Sequence, residues 1–147
     1  MIKNKLYMKC LDLLNHQIER YQKEIELVKE ALDGEGSQSD AEDGGKGELL
    51  NEIEKYARYI ETTEKTKEQL KRIDVSQEHK VVANGSLVET ENNFFFIAVA
   101  IGKLDIEDNK NYYSISTDAP IYQHLKGKKT GDSFNFNNLV YRIVNVH

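Results

Sequence analysis

Six carboxylates, Asp33, Glu35, Asp40, Glu42, Asp43 and Glu48, fall within residues 33–48, a stretch that holds a single cation, Lys46. Their excess over that lysine equals the formal net charge of the whole chain, −5, so the rest of the sequence is nearly neutral. Carboxylate oxygens are hard ligands that suit hard metal cations, and a dense run of them also imitates phosphate. The chemistry open to the segment is metal binding or phosphate mimicry, with a solubilising loop as the bland alternative that composition allows. Gly34, Gly36, Gly44, Gly45 and Gly47 supply the backbone freedom to reverse direction here and disfavour one unbroken helix.

The flanking sequence must position those acids. Tyr7, Leu11, Leu14, Ile18, Tyr21, Ile25, Val28 and Leu32 recur at alternating steps of four and three, the spacing that keeps one seam facing a partner helix. The pattern resumes at Leu49, Ile53, Tyr56, Ile60, Thr63, Lys67 and Leu70, weakened by Thr63 and Lys67. Matching seams on either side of a glycine break predict an antiparallel hairpin of helices 4–33 and 47–73 in a monomeric chain. The first helix would be about 45 Å long at 1.5 Å per residue. An intermolecular coiled coil that merely dimerises the protein is the competing arrangement.

From His79 onward the composition turns to strand. Ser86–Thr90, the run Phe94–Ile101, and Tyr112–Ser116 read as strands, with Glu91-Asn92-Asn93 as a turn. Asp118 offers a helix N-cap and Pro120 a first-turn residue, predicting a short helix over 121–125 closed by Gly127. Phe134–Phe136 and Leu139–Val146 flank Asn137-Asn138, a pair that tolerates the positive φ of tight hairpins. The class is α+β: an N-terminal helical hairpin over 1–74 with its acidic tip at 33–48, a joint at 75–78, and a small domain over 79–147 with one short helix on a twisted antiparallel sheet.

Composition narrows the function. The chain has 147 residues, of which 39% are apolar and 31% charged, with no Trp, lean for one compact globule. A pI near 5.4 without a basic run excludes unaided nucleic-acid binding, which needs clustered Lys and Arg. Contact with nucleic acid would have to come through a protein partner. Cys10 is the single cysteine, so no internal disulfide forms, and His16, His79, His124 and His147 have no metal-ligand spacing. The opening MIKNKLYMKC lacks a signal-peptide core and the longest apolar run is too short to span a bilayer. A soluble cytoplasmic protein with no membrane contact is expected. Lys126, Lys128 and Lys129 read as a solvated loop.

The stretch Ile115-Ser-Thr-Asp-Ala-Pro-Ile-Tyr-Gln-His-Leu-Lys-Gly-Lys-Lys-Thr-Gly-Asp-Ser-Phe134 resembles the C-terminal signature of the Gre family of bacterial transcription elongation factors, the GreA/GreB-like transcript cleavage factors. The positions that match are Ile115, Ser116, Pro120, Ile121, Leu125, Gly127, Lys128, Lys129, Gly131 and Asp132. Ala119 stands where the family carries serine. Gly85-Ser86-Leu87-Val88 also looks like the family's opening strand, and with the N-terminal hairpin in the right order the resemblance covers nearly the whole chain.

What the resemblance implies is specific. The C-terminal domain would be FKBP-like and would dock beside the secondary channel of RNA polymerase through Ser116, Thr117, Asp118, Pro120 and Ile121. The hairpin would carry its acidic tip to the polymerase active centre, where Asp40 and Asp43, with Glu42 as substitute, would help hold a second Mg²⁺ for cleavage of backtracked RNA. Two metals activate the attacking water and stabilise the leaving oxygen. The Mg²⁺ would be shared with polymerase and the RNA 3′ end met only inside that complex, so the chain would not be an enzyme by itself. Family stimulators carry D-x-x-E; here Asp40 and Asp43 keep the three-residue separation but the second acid is shorter, and glycines follow it. Two alternatives stay open: a channel-occupying inhibitor that does not stimulate cleavage, and a non-transcriptional coiled-coil binding protein.

Overall fold

A computed structural model of the chain describes residues 2–35 and 43–147. Two long helices, α1 (Ile2–Glu35) and α2 (Asp43–Lys71), precede a six-stranded sheet and one short helix. The fold is α+β, a helical hairpin followed by a small sheet domain. α2 begins earlier than the seam predicts and includes Gly44, Gly45 and Gly47. Glycine costs about 1 kcal/mol against alanine in a helix, but it keeps its N–H, so the glycines weaken the helix start without forbidding it.

Two compact units divide the chain, residues 13–67 and residues 1–12 with 68–147. In the first, Leu14, Ile18, Val28 and Thr63 are buried on the seam, while Tyr21, Ile25, Leu32, Leu49, Ile53, Tyr56 and Ile60 are half-buried along it. The rings of Tyr56 and Tyr59 lie 6.0 and 5.3 Å from that of Tyr21. Tyr21 stands fourteen residues before the end of α1 and Tyr56 thirteen after the start of α2, so the helices run antiparallel within one chain. Thr63 fits the seam because its hydroxyl donates to the Tyr59 carbonyl at 2.8 Å, leaving only its methyl to pack.

In the second unit the strands are β1 (Leu87–Thr90), β2 (Phe94–Ile97), β3 (Gly102–Leu104), β4 (Tyr112–Ile115), β5 (Ser133–Phe136) and β6 (Leu139–Val146), in the order β3-β4-β2-β1-β6-β5. The expected sheet is antiparallel; the observed one is mixed, because β2 and β4 pair in parallel, Phe94 beside Tyr112 through Ile97 beside Ile115. The cause is a break in the run 94–101. The chain leaves β2 after Ile97, crosses over with Ala98 N–H donating to the Ile115 carbonyl, and turns at Gly102, φ 93°, to form β3 on the far side of β4. Asn137 and Asn138 both take positive φ, 52° and 64°, and close the β5–β6 hairpin as their residue types predict.

Residues alternate between the two faces of the sheet. One face sets Val88, Phe95, Ile97, Ile143 and Val146 against Tyr122 and Leu125 of α3 (Tyr122–Leu125), with Val82 and Phe134 completing the cluster. The other face buries Leu87, Phe96, Leu104, Tyr112 and Ser114. The ends of the long helices that belong to this unit cover it: Leu6, Cys10, Leu70 and Ile73 are all buried, and Cys10 lies close to Ser114, whose hydroxyl donates to the Val99 carbonyl at 2.6 Å. At the base of α1 it is therefore Leu6 and Cys10 that are fully buried, while Tyr7 and Leu11 of the heptad reading flank them. The helix bases meet a sheet there, and a sheet accepts a different stripe of residues than a partner helix does.

The joint after α2 is tied by an Asx turn in which the Ser76 amide and hydroxyl donate to the Asp74 carboxylate, holding that carboxyl below its usual range. Gly85 sits at φ 90° with Ile73 and His79 packed where a side chain would begin. His79 Nε2 there is buried without a hydrogen-bond partner among the described residues. Burial, and then the charge of Lys3, lower the imidazole pKa. The unfolded chain therefore binds the proton more readily than the fold does. Stability should be unaffected by His79 above about pH 6.5 and fall as pH drops below it toward the depressed folded value. Urea melts of wild type and His79→Gln between pH 7 and 5 test this: the variant should lose part of the acid-side decline, and identical pH slopes would overturn it.

Candidate functional site

The acidic segment connects the two antiparallel helices. Asp40 and Glu42 lie outside the described residues; Asp43 opens α2, and its side chain is likewise outside them. Among the described residues no group of three or more His, Cys, Asp or Glu side chains is placed to hold a metal ion.

The expected docking corner lies where β4 passes into α3. Thr117, Asp118 and Pro120 are exposed, and Ser116 and Ile121 half-buried. Ile121 also packs on the sheet cluster, so only part of its side chain is free for a partner. Asp118 does not cap α3. The N-cap is Ile121, with no side-chain hydrogen bond, and successive turns through Ser116, Ala119 and Pro120 satisfy the first amides instead. The Asp118 amide donates to the Ser116 hydroxyl at 3.2 Å, which fixes the corner from the backbone side. After α3, Gly127 and Gly131 take φ of 75° and 94°, and the Asp132 carboxylate accepts the Lys129 amide at 2.9 Å. The Gly and Asp of that run are thus needed to shape the loop.

Sequence reasoning missed an aromatic shelf around this corner. Tyr113, Ile115, Ala119, Phe136 and Tyr141 are partly buried against the same cluster as Ile121. Phe134 and Tyr141 stack at 5.1 Å, Phe95 lies 6.2 Å from Tyr141, and the exposed His124 ring lies 5.4 Å from Phe136. Part of this was available, because a two-residue Asn-Asn turn fixes the hairpin register and so places Phe134 opposite Tyr141. Half-buried aromatics beside an exposed polar rim are the usual makings of a protein-docking surface. Cys10 offers no nucleophile: burial pushes its thiol up to about 11, keeping it protonated at neutral pH. Among the described residues no helix is long and apolar enough to cross a membrane.

No family model matches the sequence. No curated protein matches it either. Solved structures do. The chain is similar to the transcription factor Gfh1. One Gfh1 structure is 23% identical, with 96% of this chain and 92% of that chain covered and a TM-score of 0.35. A crystal structure of Thermus aquaticus Gfh1 is 19% identical, with 92% of each chain covered and a TM-score of 0.35.

Proposed function

We propose that this chain is an RNA polymerase-binding elongation factor of the cytoplasm that brings its acidic segment into the polymerase secondary channel and stimulates cleavage of backtracked RNA. The observation that carries the reading is the layout of residues 115–134. The positions matching the Gre signature occupy a strand end, an exposed corner, a short helix and a loop built on two positive-φ glycines and Asp132, so the motif coincides with a structural unit. The six acids at the facing ends of the two antiparallel helices and in the segment between them agree with it. In this reading the chain supplies carboxylates to the polymerase active centre and is not a free-standing enzyme. The test is transcript cleavage on stalled, backtracked complexes of the same organism's polymerase, with and without the factor. Faster cleavage supports the proposal, and competition for the channel without cleavage replaces it with an inhibitory factor.

Docking is tested separately at the corner. Because Asp118 does not cap α3, Asp118→Arg should leave thermal melting unchanged while reversing an exposed charge at the interface. Polymerase affinity is expected to fall about tenfold, on the order of 1.4 kcal/mol. Unchanged affinity with unchanged melting would move the interface elsewhere.

A further inference from the structure

Lys126, Lys128 and Lys129 do not stand alone on the surface. Val81 bridges antiparallel to Lys129, the Val82 amide donates to the Lys128 carbonyl at 2.8 Å, and the Gly127 amide donates to the Val82 carbonyl at 3.2 Å. That pairing brings Lys80, a fourth cation from a distant part of the chain, to the same place. Lys80, Lys126 and Lys129 are exposed and Lys128 is half-buried. The bonds that join the two segments are all main-chain, so the scaffold does not use the four ammonium groups. None of them forms an ion pair among the described residues. Asp132, the next acid along the loop, accepts the Lys129 amide at 2.9 Å and offsets at most one of the four charges.

Clustered exposed charges of one sign attract a partner of the other. Four lysines spread over two crossing segments suit a run of carboxylates better than a single point anion. The sequence contains such a run: residues 33–48 hold six carboxylates against one lysine and account for the whole net charge. We propose that this lysine platform docks the acidic segment 33–48 of a second copy of the chain, in a weak head-to-tail contact that joins unlike surfaces. The contact needs no polymerase and stands whether or not the segment enters the secondary channel. At high protein concentration it withholds the acids of one copy from other partners.

Sedimentation equilibrium of the full chain tests it. At about 10 mM salt the average mass should rise with protein concentration, with a Kd on the order of 0.1 mM. At about 1 M salt, where the screening length falls to about 3 Å, it should return to that of one chain. Lys126→Glu combined with Lys129→Glu changes only exposed side chains and should leave the protein monomeric at low salt. Asp40→Asn combined with Asp43→Asn removes two of the six acids and should weaken association roughly threefold, which keeps the test valid if the lysine variant unfolds. Mixing the two variants should restore association, because one supplies the acids and the other the lysines. A single-chain mass at every concentration in low salt, or association that survives high salt, the lysine reversal or the loss of the two acids undiminished, would overturn the proposal. So would a mixture of the folded variants that stays monomeric.

Discussion

Asp40→Asn combined with Asp43→Asn is expected to abolish stimulated RNA cleavage while polymerase binding survives. Two carboxylates about 5 Å apart in water repel by only about 1 kcal/mol, so a free tip can keep both ionised. In the less solvated channel, beside the metal already resident there, the same pair should attract a second Mg²⁺ far more strongly. Asparagine preserves size and shape and removes the charge, so the loss reports charge alone. Cleavage rates on backtracked complexes, read with a competition assay for binding, separate the outcomes. Full activity in the double variant would show that the wrong acids were chosen and would move the test to Glu42 with Glu48. Tight binding without cleavage by wild type would favour a channel inhibitor.

The parts of this fold that were legible in the sequence are those with local causes. Steps of four and three placed the hairpin seam because a helix repeats its facing residues at that interval, and Tyr21 does meet Tyr56. Asn137-Asn138 placed the last hairpin because few residues accept positive φ. The parallel pairing of β2 with β4 was not legible, since it depends on a crossover after Ile97 that looks like continued strand in a run of apolar residues. Lys3 reads as an ordinary N-terminal lysine, and its burial follows from contacts with Gln77 and His147, residues far along the chain. The corner at 116–121 was found through a family resemblance. The aromatics that surround it come from four separate strands, and only the β5–β6 portion had a register that the sequence could supply.

Phe96→Ala should be among the most destabilising single substitutions, costing about 3–5 kcal/mol. Phe96 is fully buried on a central strand, between Leu87 of β1 and Ser114 of β4. Its face of the sheet is the one covered by the bases of α1 and α2, with the buried Cys10 close to Ser114 beside it. Removing the ring leaves a cavity that a strand and two helix ends cannot easily close. Domains of this size are stable by about 5–15 kcal/mol, so the loss is a large fraction of the whole. Phe136→Ala, at a half-buried position on a sheet-edge strand, should cost much less because water can reach the vacated space. Urea midpoints for the two variants give the comparison, with an unchanged m-value showing that the unfolded reference is the same. Equal midpoints would mean that the helix bases at residues 1–12 and 68–73 do not pack tightly on this face.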